Sequence, residues 1–192
     1  MASKHRVDKH SAITDAASDR IAEMYQRHGA AILRYMRRRL GDGPAEDAAA
    51  DVFARALSGL ASYRPRGESS DLPWLYGIAA RVIADSHRAE KRRLRMLEQL
   101  AGREVGEDAA LATREVDAEL VRALARLSRN DRETLLLVAW GELSYEETAV
   151  ALGVPIGTVR SRLSRARRLL DNDLSSRRAD CAAKTIAGGI HG

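Results

Sequence analysis

The chain has a single cysteine, Cys181, so no intramolecular disulfide can staple it. That excludes the small disulfide-rich secreted scaffolds and fits a reducing compartment. Cys181 lies in a polar stretch near the end of the chain and reads as an incidental thiol. Aromatic residues amount to only 4%, and β-branched runs of the strand type are absent. The hydrophobic 45% must therefore build its cores from Leu, Val, Ile and Ala carried on helices. Long apolar stretches are absent too, which excludes membrane insertion, and no signal peptide is seen. There is no Gly-rich phosphate loop and no internal repeat. His5 and His10 have no partner ligands at usable spacing, so neither a metal nor another cofactor is expected. These absences leave a soluble, cytoplasmic, all-α protein without catalytic machinery.

The stretch from Leu143 to Leu170 organises the rest. Ser144 is a good N-cap, and Glu147 three residues on completes a capping box. Ala149 and Leu152 give this helix a small apolar face, and Gly153 stops it. Pro155 suits the first position of the next helix, where a missing N–H costs nothing. On that second helix Val159, Leu163, Ala166 and Leu170 share one face at helical period. Ser161, Ser164, Arg165 and Arg168 lie opposite, with Arg160 to one side. Five arginines and no acid fall between Ile156 and Leu170. A solvated structural helix can carry such charge, but the cap, the turn and the one-sidedness together predict a helix-turn-helix that contacts DNA. Arginine can bind guanine edges bidentately, and serine fits either donor or acceptor role in the major groove.

The net charge of +5 is unevenly placed, with basic clusters near 88–95 and 160–168 that point to an anionic polymer. Residues 1–18 lack a sustained apolar period and read as a disordered arm. From Asp19 a helix is predicted with Ile21, Tyr25, His28, Ile32, Tyr35 or Met36, and Leu40 on its buried face; Arg37, Arg38 and Arg39 suit its C-terminal end. Gly41-Asp42-Gly43-Pro44 breaks the chain. A second helix spans Ala45 to about Leu60, burying Ala49, Val52 or Phe53, Ala56 and Leu60, with Asp47, Asp51 and Arg55 together outside. That face is either solvated or a dock for a basic partner. A turn-rich loop covers 58–73, and a third helix runs from about Pro73 to Leu97 with Leu75, Ile78, Ala79 and Val82 inside. Arg81, Arg88, Arg92 and Arg95 share another of its faces. Residues 98–115 read as a flexible linker between two small helical domains, 19–97 and 116–174. In the second domain Val116, Leu120, Leu124 and Leu127 mark one helix. Ser128 caps the next, whose Leu135, Leu136, Val138 and Ala139 are predicted inside. Residues 175–192 read as a flexible tail.

Two stretches resemble one family. Leu127-Ser-Arg-Asn-Asp-Arg-Glu-Thr-Leu-Leu-Leu-Val, Gly141-Glu-Leu-Ser-Tyr-Glu-Glu-Thr-Ala and Gly157-Thr-Val-Arg-Ser-Arg-Leu-Ser-Arg-Ala-Arg are similar to region four of bacterial extracytoplasmic-function (ECF) sigma factors. Ala45-Glu-Asp-Ala-Ala-Ala-Asp-Val-Phe-Ala-Arg-Ala resembles region 2.2, and Pro73-Trp-Leu-Tyr-Gly-Ile-Ala resembles region 2.3. The resemblance implies a subunit of RNA polymerase that selects promoters. It implies that Glu46, Asp47, Asp51 and Arg55 dock the β′ coiled coil of the core enzyme, and that the β flap is a further contact. Ala50-Asp51 replaces the family's usual Gln-Glu pair there. It implies −10 contacts from Tyr63, Arg64, Trp74, Arg81, Arg88 and Arg92, although Gly77 stands where the family often carries Arg after Trp-Leu-Tyr, and Ala80-Arg81 where it often carries an Arg-Asn pair. It implies −35 contacts from Thr158, Arg160, Ser161, Ser164, Arg165 and Arg168. It further implies an anti-sigma factor as partner.

Two other functions compete. A helix-turn-helix regulator of operators, acting without being a polymerase subunit, accounts for 143–170 but leaves the acidic helix 45–60 and the basic end 88–95 idle. A nuclease needs clustered carboxylates for a metal, and nothing else acidic converges in sequence on Asp47 and Asp51.

Overall fold

The computed structural model describes residues 2–64, 71–101 and 118–187, with side chains described over 15–64, 71–96 and 120–172. Among these residues every regular element is helical. The chain divides into two compact units, Met1–Arg114 and Glu115–Gly192. The division falls within 98–115. Residues 98–101 of that stretch end a helix; 102–115 lie outside the described residues.

Unit 1 holds α1 (Ala2–Leu40), α2 (Asp42–Gly59), a 3-10 turn (Leu60–Ser62) and α3 (Asp71–Ala101). Gly41, at φ 81°, supplies the sharp joint between α1 and α2 that a β-carbon would strain. Met24, Ile32, Tyr35 and Met36 of α1 are fully buried against Val52 and Ala56 of α2 and Leu75 and Ala79 of α3. Each large side chain among them contributes about 1.5–3 kcal/mol by leaving water. The inner face of α2 is largely alanine (Ala45, Ala48, Ala49 and Ala56), which lets neighbouring helices approach closely.

Two expectations are corrected here and one is refined. The helix read from Asp19 begins at Ala2, so the arm 1–18 is largely the opening of α1. No Gly or Pro precedes Gly29, so no breaker interrupts the helix there. The buried register is also one residue out at that end. Met24 is inside, whereas Tyr25 is 59% exposed and meets Phe53 only by an edge-to-face contact at 5.0 Å. Arg39, placed with Arg37 and Arg38 in the last turn of α1 as the sequence suggested, differs from them in being 4% exposed; it lies over the Tyr35 ring and donates to its hydroxyl.

Unit 2 holds α4 (Ala118–Arg126), α5 (Arg129–Ala139), α6 (Tyr145–Leu152) and α7 (Ile156–Ala187). Leu124, Leu127, Leu136, Leu137, Leu143, Val159, Leu163 and Ala166 form its core. Within α5 the interior is Leu136 and Leu137 with Asp131 and Thr134, while Ala139 is exposed, so the predicted apolar run was only partly in phase. Gly141 allows the chain to fold back after α5, because a β-carbon there would stand 2.6 Å from the Leu137 carbonyl oxygen. Helix α7 continues to Ala187 through much of the tail read as 175–192, again because no Gly or Pro interrupts it before Gly188. The side chain of Cys181 lies outside the described residues.

Candidate nucleic-acid and polymerase interfaces

The turn between α6 and α7 is built from local chemistry. Ser144 Oγ accepts from the Glu147 N–H at 3.1 Å, and Glu147 Oε2 accepts from the Ser144 N–H at 2.8 Å, completing the capping box. Gly153 adopts the left-handed conformation (φ 64°, ψ 36°), and the Val154 N–H donates back to the Ala149 carbonyl at 3.0 Å. Pro155 stands one place earlier than expected. It precedes α7, and its carbonyl accepts from Thr158 and Val159, so its fixed φ serves the cap rather than the first turn.

Helix α7 is two-faced. Val159, Leu163 and Ala166 are 0–1% exposed, whereas Arg160, Ser161, Ser164, Arg165 and Arg168 face solvent and Thr158 is half-buried. Arg160 and Arg168 make no ion pair among the described residues. Ser161 Oγ donates to the Thr158 carbonyl at 3.0 Å. Arg165 differs from its neighbours: its guanidinium bonds Asp131 of α5 at 2.9 Å. A groove of about 550 Å³ runs along α6 and α7 past Tyr145, Arg160, Ser164 and Arg168. It is open, and its three arginines, Arg160, Arg167 and Arg168, outnumber its one carboxylate, Asp171, so its charge favours an anion.

A second site surrounds the start of α3. The Tyr63 and Trp74 rings are stacked, with centroids 4.1 Å apart and planes at 17°. Tyr63 Oη donates to Asp71 Oδ1 at 2.9 Å, and Arg20 of α1 donates to both Asp71 oxygens at 2.9 and 3.2 Å. Asp71 is 3% exposed, so its charge is held by partners rather than by water. The pairing of Asp71 with Arg20 escaped the sequence reading because the two lie 51 residues apart. Arg64 is exposed and donates to the Ala61 and Tyr63 carbonyls. Arg81, Arg88 and Arg92 are exposed along α3 as expected. Arg81 and Arg92 make no ion pair among the described residues, whereas Arg88 pairs with Asp85.

The third site is the outer face of α2. Glu46 and Asp47 are exposed and Asp51 is half-buried. Glu46 pairs with Arg37 at 3.0 Å. Arg55 bridges Asp51 at 2.8 Å and Asp85 of α3 at 2.6 Å, so this cation ties α2 to α3. Hydrogen bonds to Asp51 and Asp85 raise the Arg55 guanidinium, and hydrogen bonds from Arg55 and Arg88 lower the Asp85 carboxyl. Asp47 makes no ion pair among the described residues. No group of three metal-ligating side chains occurs among them.

Two helical units, one ending in a helix-turn-helix with a basic outer face, define a modular DNA-binding transcription factor. Residues 24–93 match the family model "Sigma-70 region 2", and 117–170 match "Sigma-70, region 4". The chain is 33% identical over 168 residues to the RNA polymerase sigma factor YlaC of Bacillus subtilis, covering 84% of this chain and 96% of that protein. It is 34% identical over 130 residues to the ECF RNA polymerase sigma factor SigC of Mycobacterium tuberculosis, covering 67% and 69%. Among solved structures it resembles the sigma factor RpoE in complex with the anti-sigma factor NepR from Bartonella quintana. That match has a TM-score of 0.54 at 25% identity over 80% of this chain and 97% of the other. The chain belongs to the ECF sigma factors of RNA polymerase. It is a transcription initiation factor that joins core RNA polymerase and directs it to promoters. Both sigma regions are present in order, which an operator-binding regulator acting alone does not require. No helix among the described residues is long and apolar enough to cross a membrane.

Proposed function

We propose that the two units divide promoter recognition as follows, with no catalytic step of their own and in the cytoplasm. Helix α7 reads the −35 element from Thr158, Arg160, Ser161, Ser164, Arg165 and Arg168. The stacked Tyr63–Trp74 pair, with Arg64, Arg81, Arg88 and Arg92, engages the opened −10 strand, where aromatic faces hold unstacked bases and arginines hold phosphates. The acidic face of α2, with Glu46, Asp47 and Asp51, docks the basic partner surface on the β′ coiled coil, and Arg55 keeps that face in register with α3. The β flap is a further contact on the core enzyme. The complex of RpoE with the anti-sigma factor NepR supports an anti-sigma partner for this chain as well.

The observation that carries this assignment is the two-faced burial of α7: Val159, Leu163 and Ala166 inside, Arg160, Ser161, Ser164 and Arg168 outside. The test is transcription by reconstituted holoenzyme from promoters with single-base changes in the −35 element. Arg160→Ala is expected to remove discrimination of about 1–3 kcal/mol at one position if it reads a base. Unchanged promoter preference and strength in both Arg160→Ala and Arg168→Ala would put the reader on another element.

A further inference from the structure

The Arg165 contact has a geometry that the other α7 arginines lack. A guanidinium presents five N–H donors, arranged so that two different edges can each grip a pair of acceptors. One edge of Arg165, Nε and Nη2, faces Asp131: Nη2 donates to Oδ1 at 2.9 Å, and Nε reaches Oδ2 at 3.5 Å. Nη1 and the second N–H of Nη2 form the other edge, whose spacing matches O6 and N7 of guanine. The Arg165 side chain is 49% exposed, whereas that of Asp131 is 9% exposed. Asp131 is itself fixed in the first turn of α5. Its N–H donates to Ser128 Oγ at 3.1 Å, and Ser128 Oγ donates to its Oδ2 at 2.8 Å. Burial pushes the Asp131 carboxyl up, but Arg165 and Ser128 outweigh it and hold the carboxyl below the usual range, so it stays ionised near neutral pH.

We propose that Asp131 is a positioning residue for −35 recognition, gripping one edge of Arg165 so that the other edge is presented to a guanine. The grip replaces the freedom of a long, rotatable side chain with one orientation, and orientation is what a bidentate base contact requires. Arg160, with no ion pair among the described residues, works without such a brace. The assignment deepens the reading of α7 as the −35 reader and rests on it.

The test uses holoenzyme carrying the full chain, on promoters with each base placed in turn at each −35 position. Arg165→Ala is expected to lower the preference for one guanine by about fivefold or more. Asp131→Asn is expected to weaken that preference, at that position only, by on the order of threefold. Binding to DNA without a −35 element stays the same or tightens, because a carboxylate near the polyanion has been removed. Leu136→Ala, a core substitution outside the Ser128–Asp131–Arg165 network, lowers thermal stability and leaves the preference intact. If Asp131→Asn weakens all promoters by a common factor, Asp131 serves folding alone and the proposal is overturned. If Arg165→Ala weakens all promoters alike and lessens the salt dependence, Arg165 contacts phosphate and the proposal is likewise overturned. Arg160→Ala separates the two levels. A shifted preference there with none in Asp131→Asn defeats this proposal only, whereas no shift in any of the three variants defeats the reading of α7 itself.

Discussion

Gly157 is a glycine for which packing has no use. It sits in the first turn of α7, and a β-carbon there would meet nothing within 4 Å. Glycine inside a helix costs roughly 0.5–1 kcal/mol relative to alanine, so the residue is a stability loss without a local gain. If α7 reads the −35 element as proposed, the gain lies in its position beside Thr158 and Arg160, where a bare backbone lets the helix N-terminus approach a phosphate. Gly157→Ala is therefore expected to stabilise unit 2 by up to about 1 kcal/mol in urea unfolding while weakening holoenzyme binding to promoter DNA. Stabilisation with undiminished binding would show that this end of α7 stays clear of the DNA. Residues of the α7 face were legible from the sequence because a 3.6-residue period sorts Val159, Leu163 and Ala166 from the arginines between them. The commitment of Arg165 was not legible, because Asp131 lies 34 positions away and only the packing of α5 on α7 brings the two together.

At the scale of elements, stability is set by how ends are sealed. The α6 capping box satisfies two otherwise orphaned backbone donors with side chains three residues apart. Ser144→Ala is expected to cost about 1 kcal/mol, read as a lowered urea midpoint with unchanged slope. The loss should be smaller when Glu147 has already been replaced by Ala, since the two side chains share the motif. A cost indistinguishable between the two backgrounds would mean that they act independently. Local seals of this kind explain why α6 and its glycine turn could be placed from sequence, and the start of α7 to within one residue. The far ends of α1 and α7 could not, because the absence of an apolar period was taken as the absence of helix. Periodicity reports burial on one face, and the backbone hydrogen bonds that define a helix do not require it. The Asp71 hub was hidden for the opposite reason: it joins α1, the Tyr63 turn and α3, so no single segment contains its pattern.

For the whole molecule, two units with separate cores imply two separate responses to pH. Burial lowers His28 in unit 1 below its ordinary value of 6.5; the Asp71 carboxylate opposes this, and Arg27 and Arg20 lower it further. The unfolded chain therefore binds the His28 proton more readily than the folded one. This contribution to stability is present above pH 6.5, declines as pH falls through that value, and levels off below the folded pKa. The described part of unit 2 contains no histidine. Its Asp131, held below the ordinary 3.8, contributes stability that is lost only as pH falls beneath that value. The chain has two tryptophans, Trp74 in unit 1 and Trp140 in unit 2, so each unit carries its own fluorescent reporter. With Trp140 replaced by Phe, the Trp74 urea midpoint is expected to fall between about pH 7.5 and about pH 5.5. With Trp74 replaced by Phe, the Trp140 midpoint is expected to hold over the same interval. His28→Gln should flatten the first response without touching the second. If the two midpoints instead move together, the units unfold as one and their cores are not independent. If the Trp74 midpoint still falls after His28→Gln, another group in unit 1 is the acid-sensitive one.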